Sequence, residues 1–168
     1  KDTIHQQSAF FPEGTQLAFA FLDSNRTEFY GLVRKEGRLV TVDNQDALFE
    51  VGSITKVFTT TLLAQLAEEG AIDTNDSLQH FFPFPLKVAA KGEKAVRLRH
   101  LANHTSGMSR VPEDMTWDIL TNRKNPYRKY NEKRLLKYLE KKMRLTHPPG
   151  DAYGYSNLGM GLLGYILT

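Results

Sequence analysis

No cysteine occurs among the 168 residues, which excludes disulfides and thiolate metal sites and leaves the compartment undecided. No apolar run approaches the ~20 residues that a membrane-spanning helix needs, so no transmembrane segment is expected. The sequence opens on Lys1 rather than methionine, and no apolar leader precedes Ile4. A processed or cut chain is therefore expected, with any export signal outside this sequence. No His, Asp and Glu set has metal-ligand spacing, and no glycine-rich phosphate loop follows a strand-like run, so no cofactor is expected. There is no internal repeat and no low-complexity tract. Large net charge is also missing: 22 basic against 19 acidic residues leave +3.

What is present is an ordinary globular composition, 40% hydrophobic and 24% charged. The length suffices for one domain with a real core, burying roughly two-thirds of its surface on folding. The small net charge hides an asymmetry. Ten of the 22 basic residues fall between Arg123 and Arg144, with only Glu132 and Glu140 among them. Such a segment could meet nucleic acid or an anionic surface. The pattern within it fits the solvated face of one amphipathic helix better, and no nucleic-acid partner is expected.

Along the chain, residues 1–14 are mixed and end in Phe11-Pro12-Glu13-Gly14, an irregular lead-in. Gln16 to Leu22 is a β-type apolar run, Asp23-Ser24-Asn25 has turn chemistry, and Thr27 to Val33 alternates like a returning strand. After a second turn at Lys35-Glu36-Gly37, Leu39 to Val42 and then Ala47 to Phe49 lead to Gly52. A helix is predicted from about Ser53 to Glu69. It is apolar on most sides, which predicts an interior position, and Gly70 is placed to cap its end. A short helix is expected after Ser77, stopped by Pro83, and another from Leu98 to Asn103, running into the polar loop His104-Thr105-Ser106-Gly107. Residues 108–130 lack periodicity and read as a surface insertion. Asn131 to Met143 is amphipathic, with Leu135, Leu136, Leu139 and Met143 inward. The last segment, Ser156 to Leu167, carries Gly159, Gly161 and Gly164, which predicts close helix–helix approach. Strands followed by a block of helices imply an α+β fold. The whole is expected to be one domain, with sheet strands over about 15–50 and a helical region over 53–168. Two or three strands are few for a stable sheet, so part of it is expected to be missing.

Three clusters carry possible chemistry. Ser53 and Lys56 have the spacing that puts a hydroxyl and an amine on one helix face, directly after a glycine. Taken alone the pair is common by chance, and reads more simply as an N-cap beside a surface lysine. Tyr155-Ser156-Asn157 adds what the pair lacks, because an ammonium near Tyr155 would favour phenolate and make it a general base. Asn157 would then be available to a substrate amide or to the lysine. The simpler alternative is a tyrosine packed under a loop, with a cap at Ser156 or Asn157. His104 is a candidate base too, but its place in a tight polar turn fits a loop-fixing role better.

These clusters occur in an order that resembles a known family. Phe49-Glu50-Val51-Gly52-Ser53-Ile54-Thr55-Lys56, then Leu98 to Gly107 with its His104-Thr105-Ser106-Gly107 ending, then Pro149-Gly150 before Tyr155-Ser156-Asn157 are similar to the serine β-lactamase and penicillin-binding-protein superfamily, in its class C and D-alanyl-D-alanine carboxypeptidase branch. The likeness runs from about residue 15 to the last. It implies a helical domain beside an antiparallel sheet, with Ser53 as acylated nucleophile, Lys56 as its proton partner, Tyr155 as the base that also protonates the leaving group, and Asn157 as a substrate-amide and lysine contact. It implies a serine hydrolase acting on a small-molecule β-lactam, a D-alanyl peptide or an ester, in a bacterial periplasm or secreted. Its oxyanion hole would use the backbone N–H of Ser53 and one from a late strand bearing a Lys/His-Ser/Thr-Gly triplet. No such triplet follows Tyr155, so the sequence resembles the N-terminal half of a longer protein, with little turnover expected from this half alone. Self-association through unpaired strand edges is a further expectation. A non-catalytic peptidoglycan- or protein-binding module on the same fold is the alternative.

Overall fold

The computed structural model describes residues 2–88, 90–92 and 94–168. The chain forms two compact units, one ending at Glu50 and one running Val51–Thr168.

In the first unit, helix α1 (Asp2–Ser8) precedes three strands, β1 (Gln16–Leu22), β2 (Thr27–Lys35) and β3 (Arg38–Val42), in one antiparallel sheet of order β1-β2-β3. The register pairs Leu17 with Leu32 and Phe19 with Tyr30, so alternation along both strands puts these four on one face. Leu32 is fully buried there. The turn between β1 and β2 is fixed by the Asp23 carboxylate, which accepts from the backbone N–H groups of Asn25 and Arg26 at 2.8 and 3.1 Å. The irregular lead-in expected over residues 1–14 is corrected by α1. This seven-residue helix has no apolar stripe to betray it. It is tied instead by His5, whose Nε2 lies 2.7 Å from the Tyr30 hydroxyl, and by burial of Ser8.

The second unit opens with a 3₁₀ turn, Gly52–Ile54, that runs into α2 (Thr55–Glu68). α2 ends as its glycine requires: Gly70 has φ +72°, its N–H bonds the Ala67 carbonyl, and the Ala71 N–H bonds that of Leu66. After a 3₁₀ turn at Leu78–Phe81 come two short paired strands, β4 (Ala90–Lys91) and β5 (Lys94–Ala95), then α3 (Leu98–Ala102). α4 (Thr116–Thr121), α5 (Glu132–Lys141) and α6 (Asn157–Ile166) complete it. The core is built by Leu98 and Leu101 of α3, Tyr138 and Leu139 of α5, and Leu158 and Leu162 of α6. Asn131 caps α5 by accepting the Arg134 N–H at 3.0 Å.

Two expectations are corrected here. α2 is not an interior helix in this unit. Only Leu63 is buried, while Val57 and Phe58 are 61% and 68% exposed, although the helix packs on α6. Residues 108–130 are no bare surface insertion. They hold a 3₁₀ turn (Glu113–Met115) and α4, and bury Met108 and Met115. Polar ties to α5 hold this segment: Tyr138 donates to Glu113, and the Arg134 guanidinium meets Asp118 at 2.7 Å. Part of the basic run is thereby neutralised internally, while Lys133 and Lys137 of α5 face solvent. Of the three glycines in α6, Gly164 meets α2, with the Thr59 methyl 4.0 Å from where its Cβ would stand. Among the described residues no helix is long and apolar enough to cross a membrane.

Candidate active site

Ser53 sits in the 3₁₀ turn just ahead of α2, two residues before its first residue Thr55, and among the described residues its hydroxyl caps no backbone N–H. The simpler reading of Ser53 as a helix cap is therefore not what forms. Its Oγ lies 2.8 Å from the Tyr155 hydroxyl, 102 residues on, and accepts from Lys56 Nζ at 3.1 Å. The lysine reaches back because positions three apart share one face of a helical turn. Its Nζ stands 5.1 Å from the centre of the Tyr155 ring. Serine, lysine and tyrosine thus meet at one hydroxyl.

Tyr155 is held by the two loops on which it rests. The His104-Thr105 backbone carbonyls accept from Gly154 and Gly150, each at 2.8 Å, and the Ser156 N–H donates to His104 Nδ1 at 3.2 Å. A ring nitrogen that accepts must be unprotonated. Burial, and then the Lys56 charge, push His104 below its ordinary value of 6.5, so the neutral form persists at neutral pH. His104 therefore fixes the loop, and its ring packs on that of Tyr155 with centres 4.6 Å apart. Ser156 caps α6: its Oγ accepts from Gly159 N–H at 2.8 Å and donates to the Ser109 carbonyl at 2.7 Å. Gly107 is where a side chain would not fit. Its φ is +75°, and a Cβ would lie 2.2 Å from the His147 carbonyl oxygen.

The electrostatics of the cluster are one-sided. Hydrogen bonding to Lys56, and then to Ser53, lowers the Tyr155 phenol from its usual 10.0, and the charges of Lys56 and Arg110 act in the same direction. The Arg110 guanidinium carbon lies over the Tyr155 ring, 4.9 Å from its centre. Asn157, first in α6, lies in the same open cleft of about 450 Å³ as Ser53 and Lys56. Its side-chain amide donates to the Tyr127 hydroxyl at 3.3 Å rather than meeting the lysine. Arg110 and Tyr127 are the two neighbours that sequence reasoning missed. Both lie in the stretch without periodicity, and only the position of Arg110 three residues after Gly107 could have hinted at it.

Such an arrangement can take the proton from a serine hydroxyl and keep the resulting negative charge beside a cation. A family model described as beta-lactamase matches residues 14–168. A β-lactamase of Providencia stuartii is 32% identical over 154 residues, covering 91% of this chain and 35% of that protein. Beta-lactamase-like protein 4 of Dictyostelium discoideum is 34% identical over 126 residues, 73% of this chain and 21% of that one. Among solved structures, the β-lactamase/D-alanine carboxypeptidase of Yersinia pestis superposes with a TM-score of 0.72 at 24% identity, over 99% of this chain and 47% of that one. This likeness shows the fold, mixed helix and antiparallel sheet. The chain spans about half the length of that structure and about a third or less of the two sequence relatives. With the family model matched over nearly its whole length, the chain belongs to the β-lactamase family, within the serine β-lactamase and penicillin-binding-protein superfamily.

Proposed function

We propose that the protein is a serine hydrolase working through a covalent acyl-enzyme on Ser53, in the class C and D-alanyl-D-alanine carboxypeptidase branch. The single observation that supports this most is the Ser53 hydroxyl bonded at once to Tyr155 and Lys56. In this reading the Tyr155 phenolate takes the Ser53 proton as Oγ attacks the substrate carbonyl carbon. The tetrahedral oxyanion then collapses, the bond to the leaving nitrogen or oxygen breaks, and the new Tyr155 O–H gives its proton to that leaving group. Tyr155, phenolate again, takes a proton from water as its oxygen attacks the acyl carbon; the bond to Ser53 Oγ then breaks and the Tyr155 proton returns to Oγ. The Lys56 ammonium stabilises the phenolate and the developing serine alkoxide. Asn157, on the cleft wall, offers its amide to the substrate amide once Tyr127 yields it. The substrate is a β-lactam, a D-alanyl peptide or a small ester, encountered in a bacterial periplasm or outside the cell.

Mass spectrometry tests this after the complete natural protein is incubated with a fluorescent penicillin and, separately, with an activated ester. An acyl adduct on the peptide bearing Ser53, absent from Ser53→Ala, is expected. If neither reagent leaves an adduct there, the acyl-enzyme reading falls.

A further inference from the structure

Tyr155 touches three other titratable or charged side chains, each from a different segment. Lys56 reaches it from α2, His104 from the loop after α3, and Arg110 from the loop that precedes Val111 and Pro112. The proposed chemistry uses Lys56, and His104 holds the loop, which leaves Arg110 without a task. Nothing else in the described residues explains its position. It is exposed, and among them it forms no ion pair with a carboxylate. An unpaired arginine at a surface normally samples many rotamers at little cost, so its placement over one ring is informative only if its backbone is fixed.

The backbone is fixed, and by the segment that carries Tyr155. The Arg110 carbonyl accepts the N–H groups of Asn157 and Leu158, at 2.8 and 3.2 Å, at the start of α6. One residue earlier, the Ser109 carbonyl accepts the Ser156 hydroxyl at 2.7 Å. Three hydrogen bonds thus join residues 109–110 to residues 156–158, immediately after Tyr155, so the backbones that carry the arginine and the tyrosine are tied together. A guanidinium over a ring is attracted to its negative face, and the attraction grows when the ring carries a phenolate.

Resting on the acyl-enzyme reading above, we propose that Arg110 is a positioning residue for the base: its guanidinium, standing over the Tyr155 ring on a backbone bonded to the start of α6, acts with Lys56 to favour the charged form of the phenol. It is a second cation that supports the base without touching the reacting atoms, and it comes from a stretch with no motif of its own.

The sign of its effect is fixed. Removing a cation beside a phenol makes ionisation harder, so the base is ready only at higher pH. Two measurements on the complete natural protein read this. The first is an ultraviolet difference titration of tyrosinate, with Tyr155→Phe subtracted, for the wild type, Arg110→Met and Arg110→Lys. Arg110→Met, which keeps the apolar stem and loses the charge, is expected to ionise at higher pH than the wild type, and Arg110→Lys in between. The second is the pH profile of Ser53 acylation. The ascending limb in Arg110→Met is expected to move the same way, with the rate at neutral pH falling about two- to fivefold, the scale of an exposed cation over an aromatic ring, and the high-pH plateau kept. A titration and profile that match the wild type overturn the inference and leave Ser53 acylation standing. A loss equal at every pH that Arg110→Lys does not restore overturns it too, since it reports packing rather than charge. If the wild type forms no adduct at all, the acyl-enzyme reading fails on its own, and the difference titration still decides whether Arg110 acts on Tyr155.

Discussion

On the acyl-enzyme reading Tyr155 takes a proton only as phenolate, so its ionisation sets the direction of the pH dependence. Lys56, first of all, lowers the phenol from its ordinary 10.0. The rate of Ser53 acylation is therefore expected to rise with pH through that lowered value and to level off above it. Lys56→Ala should move the ascending limb toward higher pH. Tyr155→Phe should remove the limb and cost roughly 10²–10⁴-fold, the usual worth of a general acid–base group. Stopped-flow acylation between mildly acidic and alkaline pH checks both, and an unchanged limb in Lys56→Ala would rule out lysine control of the base. At this scale much of the candidate cluster, the meeting of Ser53, Lys56 and Tyr155, was legible from residue types. A serine, a lysine and a tyrosine carry their chemistry in their names, and family order gave their partnership. What the sequence could not convey is that Asn157 bonds Tyr127, or that Arg110 lies over Tyr155. Loop contacts between distant residues obey no period.

The loop that carries Gly107 turns between two demands, a left-handed backbone and a carbonyl in the way. Alanine can adopt positive φ at a cost of about 1–2 kcal/mol. Gly37→Ala, at φ +71° with nothing within 4 Å, should cost about that much. Gly107→Ala adds a Cβ 2.2 Å from the His147 oxygen, so the loop must shift, and the loss should reach about 3 kcal/mol or more. Denaturant melts of the two variants in the complete protein compare them. Equal losses would mean that the His147 carbonyl relaxes freely. The same contrast between local and distant causes explains which elements could be read in advance. α2 and α5 announce themselves through Gly70 and through Asn131 followed by an apolar stripe. β1 announces itself as a β-type apolar run, β2 through alternation, and the turn between them through Asp23. α1 and α4 do not, being seven and six residues long, under two turns each and without an apolar stripe that repeats. Their anchors are side chains far off in sequence, Tyr30 for α1 and Arg134 for α4.

A helix apolar on most sides needs neighbours on most sides, and within its own unit α2 packs on α6. Ile54, Val57 and Phe58 are left 59%, 61% and 68% exposed. Exposed apolar side chains that stand together on adjacent turns favour association, since each square ångström removed from water contributes about 25 cal/mol. The sheet of the first unit adds a second route. Among the described residues β1 and β3 are each paired along one side only, which leaves backbone donors and acceptors for another strand. The 168-residue chain on its own is therefore expected to self-associate. Its sedimentation coefficient should rise with concentration, and a dye that fluoresces on apolar surfaces should bind. The two routes separate by substitution. Val57→Lys with Phe58→Glu places charge on the α2 face, changes no residue of the Ser53 cluster, and should lower association if the helix drives it. Association that survives this pair but falls when Lys replaces Phe21 on β1 would assign it to the sheet. A chain that stays monomeric at every concentration and melts cooperatively would show that α2 tolerates water as it stands, and that neither route operates.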